Sequence, residues 1–325
     1  MYLKNSWFYL YAVLLFLVSC RKQEIPIKPL DRGDIITNSV DMNADYRQQL
    51  FFSLSANTVV AGNLKTAWDI AFECGAAGFH LRINTAKAMC VANTSQTTFN
   101  LVNDTSNFSV RRQYDSPTGN EDSTAFGNWQ TSKPVFIVDR GYNETGTPQG
   151  FRKIQILGVS ANDYTIKLAN VDGSNELTLT LPKSPDKNYV QFSFSSNSLV
   201  QIEPARDNYD LLFSQYTHIY SNPFSTYLVA GVLANPYKVM IAPVFDKAFR
   251  DIVLQDTITH PFSRLHNTIG YYWKTYDFQS ASYVINFNMS YIIKDVNGFY
   301  YKLHFIDFYN SLGVKGFPKF EFKKL

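Results

Sequence analysis

Residues 52–60 read Phe52-Ser53-Leu54-Ser55-Ala56-Asn57-Thr58-Val59-Val60, and the pattern returns as Phe192-Ser193-Phe194-Ser195-Ser196-Asn197-Ser198-Leu199-Val200. Each copy is followed by an aromatic residue, an aspartate and an apolar run: Trp68-Asp69-Ile70-Ala71-Phe72 after the first and Tyr209-Asp210-Leu211-Leu212-Phe213 after the second. The copies lie about 140 residues apart, which is longer than a solenoid repeat and typical of a whole domain. The pattern therefore predicts an internal duplication.

The ends of the two copies correspond as well. In the first copy, Phe136-Ile137-Val138-Asp139 precedes Gly150-Phe151-Arg152-Lys153-Ile154-Gln155-Ile156. In the second, Tyr291-Ile292-Ile293-Lys294-Asp295 precedes Gly298-Phe299-Tyr300-Tyr301-Lys302-Leu303-His304-Phe305. This shared order predicts two domains in tandem: residues 35–183 and residues 187–325.

The first residues are typical of a bacterial lipoprotein signal. Lys4 precedes an apolar run that is short for a membrane span, and the run ends at Leu17-Val18-Ser19-Cys20. The pattern predicts a signal peptide over residues 1–19, lipid attachment to Cys20, and a tether over residues 20–34. The alternatives are an ordinary secretory signal or a short anchor helix. Each of these interpretations takes the protein out of the cytoplasm.

Composition indicates a folded body and argues against two functional classes. The chain is 45% hydrophobic and 16% aromatic, and its formal net charge is +3 over 325 residues. A charge this small, without a run of Lys or Arg, argues against nucleic-acid binding. Common catalytic motifs such as Gly-x-Ser-x-Gly and His-Glu-x-x-His are missing from the sequence, so we do not expect an enzyme.

The secondary-structure pattern is that of β-strands, so we predict an all-β fold with mostly antiparallel sheets. Asp172-Gly173 and Asn297-Gly298 predict two-residue hairpin loops. One short helix is expected near residues 244–253, where Val244, Ala248 and Ile252 could share a face. The clearest strands alternate apolar and polar residues, with the apolar positions at Tyr164, Ile166 and Leu168, at Leu177, Leu179 and Leu181, and at Phe320 and Phe322.

Two cysteines and two histidines are candidate site residues. With Cys20 lipidated, Cys74 and Cys90 either form a disulfide or are two small buried side chains, and the sequence leaves both readings open. His260 and His266 share a predicted loop with aromatic neighbours, where an imidazole could present a free lone pair to a ligand. The other three histidines, including His218, lie in predicted strands and are interpreted as ordinary sheet residues.

The chain resembles the HmuY family of haem-binding lipoproteins of Bacteroidetes, over nearly all of the mature sequence and as two copies. The resemblance rests on these segments: Thr66-Ala67-Trp68-Asp69-Ile70-Ala71-Phe72, Leu81-Arg82-Ile83-Asn84, Tyr227-Leu228-Val229-Ala230-Gly231-Val232-Leu233, Ile269-Gly270-Tyr271-Tyr272-Trp273-Lys274, Tyr300-Tyr301-Lys302-Leu303-His304-Phe305 and Lys315-Gly316-Phe317-Pro318-Lys319-Phe320-Glu321. It implies an all-β fold, outer-membrane attachment through Cys20, and haem binding for delivery to a TonB-dependent receptor.

The resemblance transfers no axial ligand to this chain. In the best-known members two histidines hold the haem iron, the second of them shortly after a tryptophan that matches Trp273. Here the residues that follow, Lys274-Thr275-Tyr276-Asp277-Phe278-Gln279, include no histidine. We therefore take His260 and His266 as the candidate haem ligands from their loop position, and a binding module for another ligand or a partner protein as the alternative function.

Overall fold

The computed structural model describes residues 33–325, and these residues are built almost entirely from antiparallel strands. The all-β prediction is confirmed, as are the alternating strands predicted around Tyr164, Leu177 and Phe320. The signal peptide, Cys20 and nearly all of the predicted tether lie outside the described residues. Among residues 33–325, no helix has the length and apolar character needed to cross a membrane.

The strands of the first part of the chain are short on average. They are β1 (Ile36–Ser39), β2 (Gln48–Ser53), β3 (Thr58–Leu64), β4 (Ile70–Glu73), β5 (Leu81–Ile83), β6 (Cys90–Asn93), β7 (Arg112–Gln113), β8 (Val135–Asp139), β9 (Phe151–Val159), β10 (Asp163–Ala169), β11 (Leu177–Pro182), β12 (Tyr189–Ser193) and β13 (Ser198–Val200).

The second part has longer hairpins. Its strands are β14 (Leu211–Ser221), β15 (Phe224–Ala234), β16 (Met240–Val244), β17 (Lys274–Asp277), β18 (Ser282–Ile285), β19 (Ser290–Lys294), β20 (Tyr300–Tyr309) and β21 (Lys315–Lys324). The described helical segments are single turns, namely α1 (Phe108–Arg111), α2 (Asp256–Thr259) and the 3-10 turns η1 (Thr85–Lys87), η2 (Phe99–Leu101), η3 (Glu121–Ser123) and η4 (Phe249–Asp251).

Two large sheets repeat the same strand order. One runs β11-β10-β9-β8-β6-β7 and the other runs β1-β21-β20-β19-β16. Equivalent strands follow one another in each sheet, and the outer strands β11 and β1 each lead into the hairpin that carries the repeated sequence. The two sheets therefore share one strand order, and the internal duplication stays a prediction.

The two repeats exchange their hairpins. The hairpin β2–β3 pairs with β14 of the second repeat, with Phe52 opposite Leu211, while β12–β13 pairs with β4 of the first repeat, with Phe192 opposite Ile70. One apolar core consequently draws its residues from 70–199, and the other combines residues 40–54 with residues from 211 onward. The limits 35–183 and 187–325 stay a prediction about the repeated sequence, and the packing of the cores follows this different division.

The repeated aspartates fasten the exchanged hairpins. Asp69 Oδ2 accepts a hydrogen bond of 2.7 Å from the backbone N–H of Phe194, and Asp210 Oδ2 accepts one of 2.8 Å from that of Leu54. Both aspartates are fully buried. Because a buried carboxylate needs hydrogen-bond donors to offset its lost hydration, each aspartate constrains the turn of the hairpin that comes from the other repeat.

Two local predictions were wrong. Residues 244–253 do not form a helix, since Val244 ends strand β16 and the following residues form only the turn η4. The ammonium of buried Lys302 accounts for this, because it binds the carbonyl oxygens of Phe249, Arg250 and Ile252 at 2.9–3.1 Å and so holds the segment in an irregular path.

The predicted two-residue hairpin loops are longer than expected. Residues 170–176 join β10 to β11, and residues 295–299 join β19 to β20. Gly173 and Gly298 do adopt the positive φ that the pattern implied, at 91° and 88°. In the second loop the carboxylate of Asp295 accepts two backbone N–H groups, which stabilises the wider turn.

Cys74 and Cys90 are both buried and carry free thiols, so the structure has the second of the two alternatives. Burial raises the pKa of the Cys90 thiol to about 11. Cys74 accepts a hydrogen bond from the backbone N–H of Ser184. Both thiols therefore behave as small buried side chains, and Cys74 belongs to the first core.

Candidate functional site

Strand β14 carries an aromatic and histidine face. Side chains alternate along a strand, so Tyr216, His218 and Tyr220 point to the same side of the long hairpin β14–β15. Tyr216 and His218 are buried, whereas Tyr220 is 43% exposed at the outer end of the strand. Tyr227, which lies directly opposite His218 on β15, is 59% exposed. The face thus runs from the protein interior to an open aromatic surface.

Three tyrosine rings surround the imidazole of His218. Its ring centroid lies 4.8 Å from that of Tyr220, 5.2 Å from that of Tyr271 and 6.0 Å from that of Tyr272, all in edge-to-face geometry. The hydroxyls of Tyr220 and Tyr271 are 3.1 Å apart. Tyr271 and Tyr272 stack on each other at 4.5 Å. We call His218, Tyr220, Tyr271 and Tyr272 the tyrosine cage.

The imidazole in the tyrosine cage has unused hydrogen-bonding capacity. His218 is 9% exposed, and its Nδ1 is buried without a partner among the described residues. Burial lowers the pKa of His218, so the ring stays neutral and keeps a lone pair. An unpaired buried polar atom costs free energy in the folded protein, and a neutral imidazole is a good ligand for a metal ion. The imidazole is therefore a candidate metal ligand, and because Nδ1 is buried, a metal reaches it only if a ring of the tyrosine cage moves aside.

The sequence contains a pattern that indicates the tyrosine cage, although His218 taken alone is interpreted as an ordinary sheet residue. A lone histidine in a strand is usually a packed or hydrogen-bonded residue, and His218 was interpreted that way. The alternation Tyr216-Thr217-His218-Ile219-Tyr220 places two tyrosines on the side of the histidine, and Tyr271-Tyr272 adds two more rings. The distance between these two segments in the chain concealed the cage.

His260 has both ring nitrogens engaged. Its Nε2 lies 3.0 Å from a carboxylate oxygen of Asp246, and its Nδ1 lies 3.0 Å from the carbonyl oxygen of Asp256. The hydrogen bond with Asp246 raises the pKa of His260, since both acceptors favour the protonated ring. In this arrangement the imidazole donates twice and presents no lone pair to a ligand.

His266 lines a partly open cavity that does not include His260. The cavity has a volume of about 140 Å³ and is lined by residues of both repeats. The backbone N–H of His266 donates to Thr118, its ring packs on Gly119, and burial lowers its pKa to about 3. Pockets for drug-sized ligands measure roughly 300–1,000 Å³, so this cavity does not enclose a porphyrin.

Trp273 is a core residue. Its ring stacks on Phe305 at 4.0 Å and is 1% exposed. The next residue, Lys274, is buried as well, donates to the carbonyl oxygen of Ala230 at 2.6 Å, and has its pKa lowered to about 7 by burial. The segment after Trp273 forms the hairpin β17–β18, with the ring of Phe278 87% exposed near its tip.

The solved structures that match this chain share little of its sequence and align with low TM-scores. Apo PinO from Porphyromonas gingivitis is 9% identical, with a TM-score of 0.29 and coverage of 90% of this chain and 98% of that one. The apo HmuY analogue of Tannerella forsythia is 12% identical, with a TM-score of 0.25 and the same coverages. A Bacteroides vulgatus protein whose name describes it as HmuY-like and heme-binding is also 12% identical, with a TM-score of 0.24 and coverages of 90% and 94%.

The family assignment rests on a sequence model. Comparison with curated protein sequences gave no significant match. The model of the HmuY protein family, in contrast, matches residues 45–322 as one stretch that runs through both repeats and includes both exchanged hairpins. This match covers most of the chain, and the chain therefore belongs to the HmuY family.

Proposed function

We propose that this chain binds haem or a related metalloporphyrin without catalysing a reaction, and that His218 supplies the ligand to the iron. The observation that carries the proposal is the buried, unpartnered Nδ1 of His218 inside the tyrosine cage. Histidine is a common axial ligand of haem iron. Membership of the HmuY family supports the same class of ligand.

The tyrosines of the cage have two tasks in this proposal. Their rings offer apolar faces and edges to a porphyrin, an arrangement that aromatic groups favour. Their hydroxyls can donate hydrogen bonds to the carboxylates of the porphyrin. Tyr220 and Tyr272 are 43% and 48% exposed, so their hydroxyls are accessible to a ligand. Because Tyr220 and Tyr272 are exposed, haem would lie against the outer side of the hairpin β14–β15, with a ring of the cage moved aside so that the iron reaches the buried Nδ1 of His218. Bound haem supplies the iron, and the protein supplies binding and orientation.

A haemin titration of the mature chain tests the proposal. We expect a saturable shift of the Soret band and, for His218→Ala, an affinity at least about tenfold lower, which corresponds to about 1.4 kcal/mol of binding free energy. His304→Ala is the matched control, since His304 is a strand histidine paired with Glu321 at 2.9 Å. A flat titration, or an unchanged affinity in His218→Ala, would reject the assignment.

The same titration tests His260 and His266, which remain candidate ligands from the sequence. The double variant His260→Ala, His266→Ala should retain the Soret shift, because the ring of His260 is engaged by Asp246 and Asp256 and the ring of His266 lies at a small cavity of about 140 Å³. If the double variant loses the Soret shift while His218→Ala binds haemin as the wild type does, the iron ligand is His260 or His266 instead of His218.

We propose that the protein lies in the cell envelope, attached to the outer membrane by lipid on Cys20. The Leu17-Val18-Ser19-Cys20 pattern supports this location. The proposed partner is a TonB-dependent outer-membrane receptor that accepts the haem. Incorporation of labelled fatty acid into the wild-type chain, compared with Cys20→Ser, measures lipidation, and equal labelling of both would rule it out.

A second function is favoured by one further observation. Large aromatic side chains are exposed at Phe245, Phe278 and Phe287, at 60%, 87% and 65%. Exposed aromatic residues are enriched in protein interfaces. If haemin does not bind, these residues favour a binding module that recognises a partner protein, and alanine substitutions at these positions should then weaken that association.

A further inference from the structure

The first repeat holds a mixed histidine and carboxylate cluster far along the chain from the tyrosine cage. Nδ1 of His80 lies 2.7 Å from Oε2 of Glu73 and 4.0 Å from Oε2 of Glu121. One donor atom from each residue falls within 4.8 Å of the other two. The side chains of Glu73 and His80 are 19% and 16% exposed, while that of Glu121 is 54% exposed and closes the cluster from the solvent side.

The carboxylate of Glu73 is held in place before any ligand arrives. The backbone N–H groups of Phe79 and His80 each donate to its Oε2 at 3.1 Å, and Oε1 accepts no hydrogen bond from the described residues. Gly78 leaves the space that the Glu73 carboxylate occupies next to these N–H groups, because a Cβ at residue 78 would lie 2.5 Å from the carboxylate carbon of Glu73. A side chain at residue 78 would therefore displace the carboxylate.

Side chains from distant parts of the chain fix the loop between Glu73 and His80. The hydroxyl of Tyr164 donates to the carbonyl of Glu73, the ammonium of Lys183 donates to the carbonyls of Gly75 and Gly78, and the indole N–H of Trp129 donates to the carbonyl of Phe79. Trp129 and Tyr164 are buried in the first core. Supporting hydrogen bonds of this kind orient the groups that ligate a metal.

We propose that Glu73, His80 and Glu121 bind a divalent first-row transition ion such as zinc. One imidazole and two carboxylates are a donor set that Zn²⁺ accepts, with bonds of about 2.0–2.2 Å and therefore about 3.4 Å between neighbouring donors. The observed separations of 2.7 and 4.0 Å bracket that value. Mg²⁺ and Ca²⁺ prefer six or more oxygen ligands and would gain little from the imidazole.

Binding exchanges a hydrogen bond for a coordination bond. In the described state the imidazole and Glu73 share the 2.7 Å contact. An ion that takes the lone pair of Nδ1 replaces this contact, any proton held there is released, and the charge of the two carboxylates neutralises the ion. Water can fill the remaining coordination position on the exposed side of Glu121. The protein thus has a separate metal site that does not depend on haem.

Isothermal titration calorimetry with zinc chloride on the mature chain tests this inference. We expect one ion per chain and an affinity at least tenfold lower in His80→Ala and in Glu121→Gln. Glu121 is largely exposed, so Glu121→Gln removes a ligand charge without disturbing the core. Magnesium chloride at the same concentration should give no comparable heat.

His304→Ala is the matched control, because His304 also pairs with a glutamate, at 2.9 Å, but stacks on Phe249 and belongs to no cluster of three donors among the described residues. It should bind zinc as the wild type does. Unchanged zinc affinity in both His80→Ala and Glu121→Gln, or an equal loss in His304→Ala, would overturn the assignment. Haemin affinity in Glu121→Gln should stay at the wild-type value, which separates this site from the tyrosine cage.

Discussion

The two buried aspartates of the repeat should differ strongly in what they contribute to stability. Asp69 accepts from Phe194 and also binds Lys87 and Arg140, and the side chains of Asp69 and Lys87 are completely buried. Among the described residues, Asp210 accepts hydrogen bonds from two backbone N–H groups and no side chain, from Leu54 at 2.8 Å and from Val296 at 3.0 Å. The perturbation that separates them is Asp→Asn at each position, which keeps the shape and removes the charge.

The expected magnitudes follow from what each substitution leaves behind. Asp69→Asn leaves the ammonium of Lys87 buried without its carboxylate, and breaking a buried ion pair costs about 3–5 kcal/mol. We expect the low end, about 3 kcal/mol, because burial already lowers the pKa of Lys87 and the ammonium can lose its proton. Asp210→Asn turns one acceptor into a donor that faces a backbone N–H, which costs about 1–2 kcal/mol.

Urea unfolding measures both values. With an m value of about 3 kcal/mol/M, the midpoint should fall by about 1 M in Asp69→Asn and by about 0.3–0.7 M in Asp210→Asn. Adding Lys87→Met to Asp69→Asn should restore at least about 1 kcal/mol, because it removes the stranded charge. Equal losses in the two Asn variants, or no recovery with Lys87→Met, would refute the view that the ion pair fastens the exchanged hairpin.

Three further predictions concern single side chains. Burial raises the pKa of Asp210 from 3.8 to about 6, so the folded state favours the protonated acid: its contribution to stability is present below pH 3.8 and is lost as the pH rises through 6. The destabilisation caused by Asp210→Asn should therefore be greater at pH 4.5 than at pH 7. An equal loss of unfolding free energy at the two pH values would contradict the raised pKa of Asp210. Lys302→Met should lower the free energy of unfolding by about 2–4 kcal/mol, because three carbonyl oxygens lose a buried charged donor, and thermal unfolding should show a smaller loss for Lys153→Met, whose ammonium binds two carbonyls. Thr217→Val removes the 2.8 Å hydrogen bond to the carbonyl of Thr85 and should cost about 1–2 kcal/mol in urea unfolding, with a few-fold loss of haemin affinity if His218 is the ligand; unchanged haemin affinity would separate this contact from the site.

The strands could be predicted because their pattern is local. Alternation of apolar and polar residues at Tyr164, Leu177 and Phe320 reports which face of a strand is buried, whatever the partner strand is. The helix expected over residues 244–253 failed for the opposite reason. Its path is set by Lys302, which is about 50 residues away in the sequence and binds carbonyls of η4 and of Ile252 directly after it. A contact of that kind leaves no local pattern.

The exchange of hairpins could not have been predicted from this sequence. Both repeats carry the same hairpin and the same aspartate, so the hairpin around Phe52 fits the sheet of either repeat equally well by pattern. The hydrogen-bonding role of Asp69 and Asp210 could not be predicted for the same reason. The two aspartates recur at equivalent positions, but the backbone N–H group that each one binds depends on which hairpin packs against it.

The exchange also bears on the candidate site. Strand β14, which carries His218, pairs with β2 of the other repeat at its inner end, and Thr217 anchors the middle of the strand to η1 of the first repeat. The same turn η1 contains Lys87, the partner of Asp69. The aspartate that fastens one exchanged hairpin therefore also fixes the turn against which the His218 strand rests. A site placed on this strand is held by both repeats at once, which gives a physical reason for the family model to span residues 45–322 as one unit.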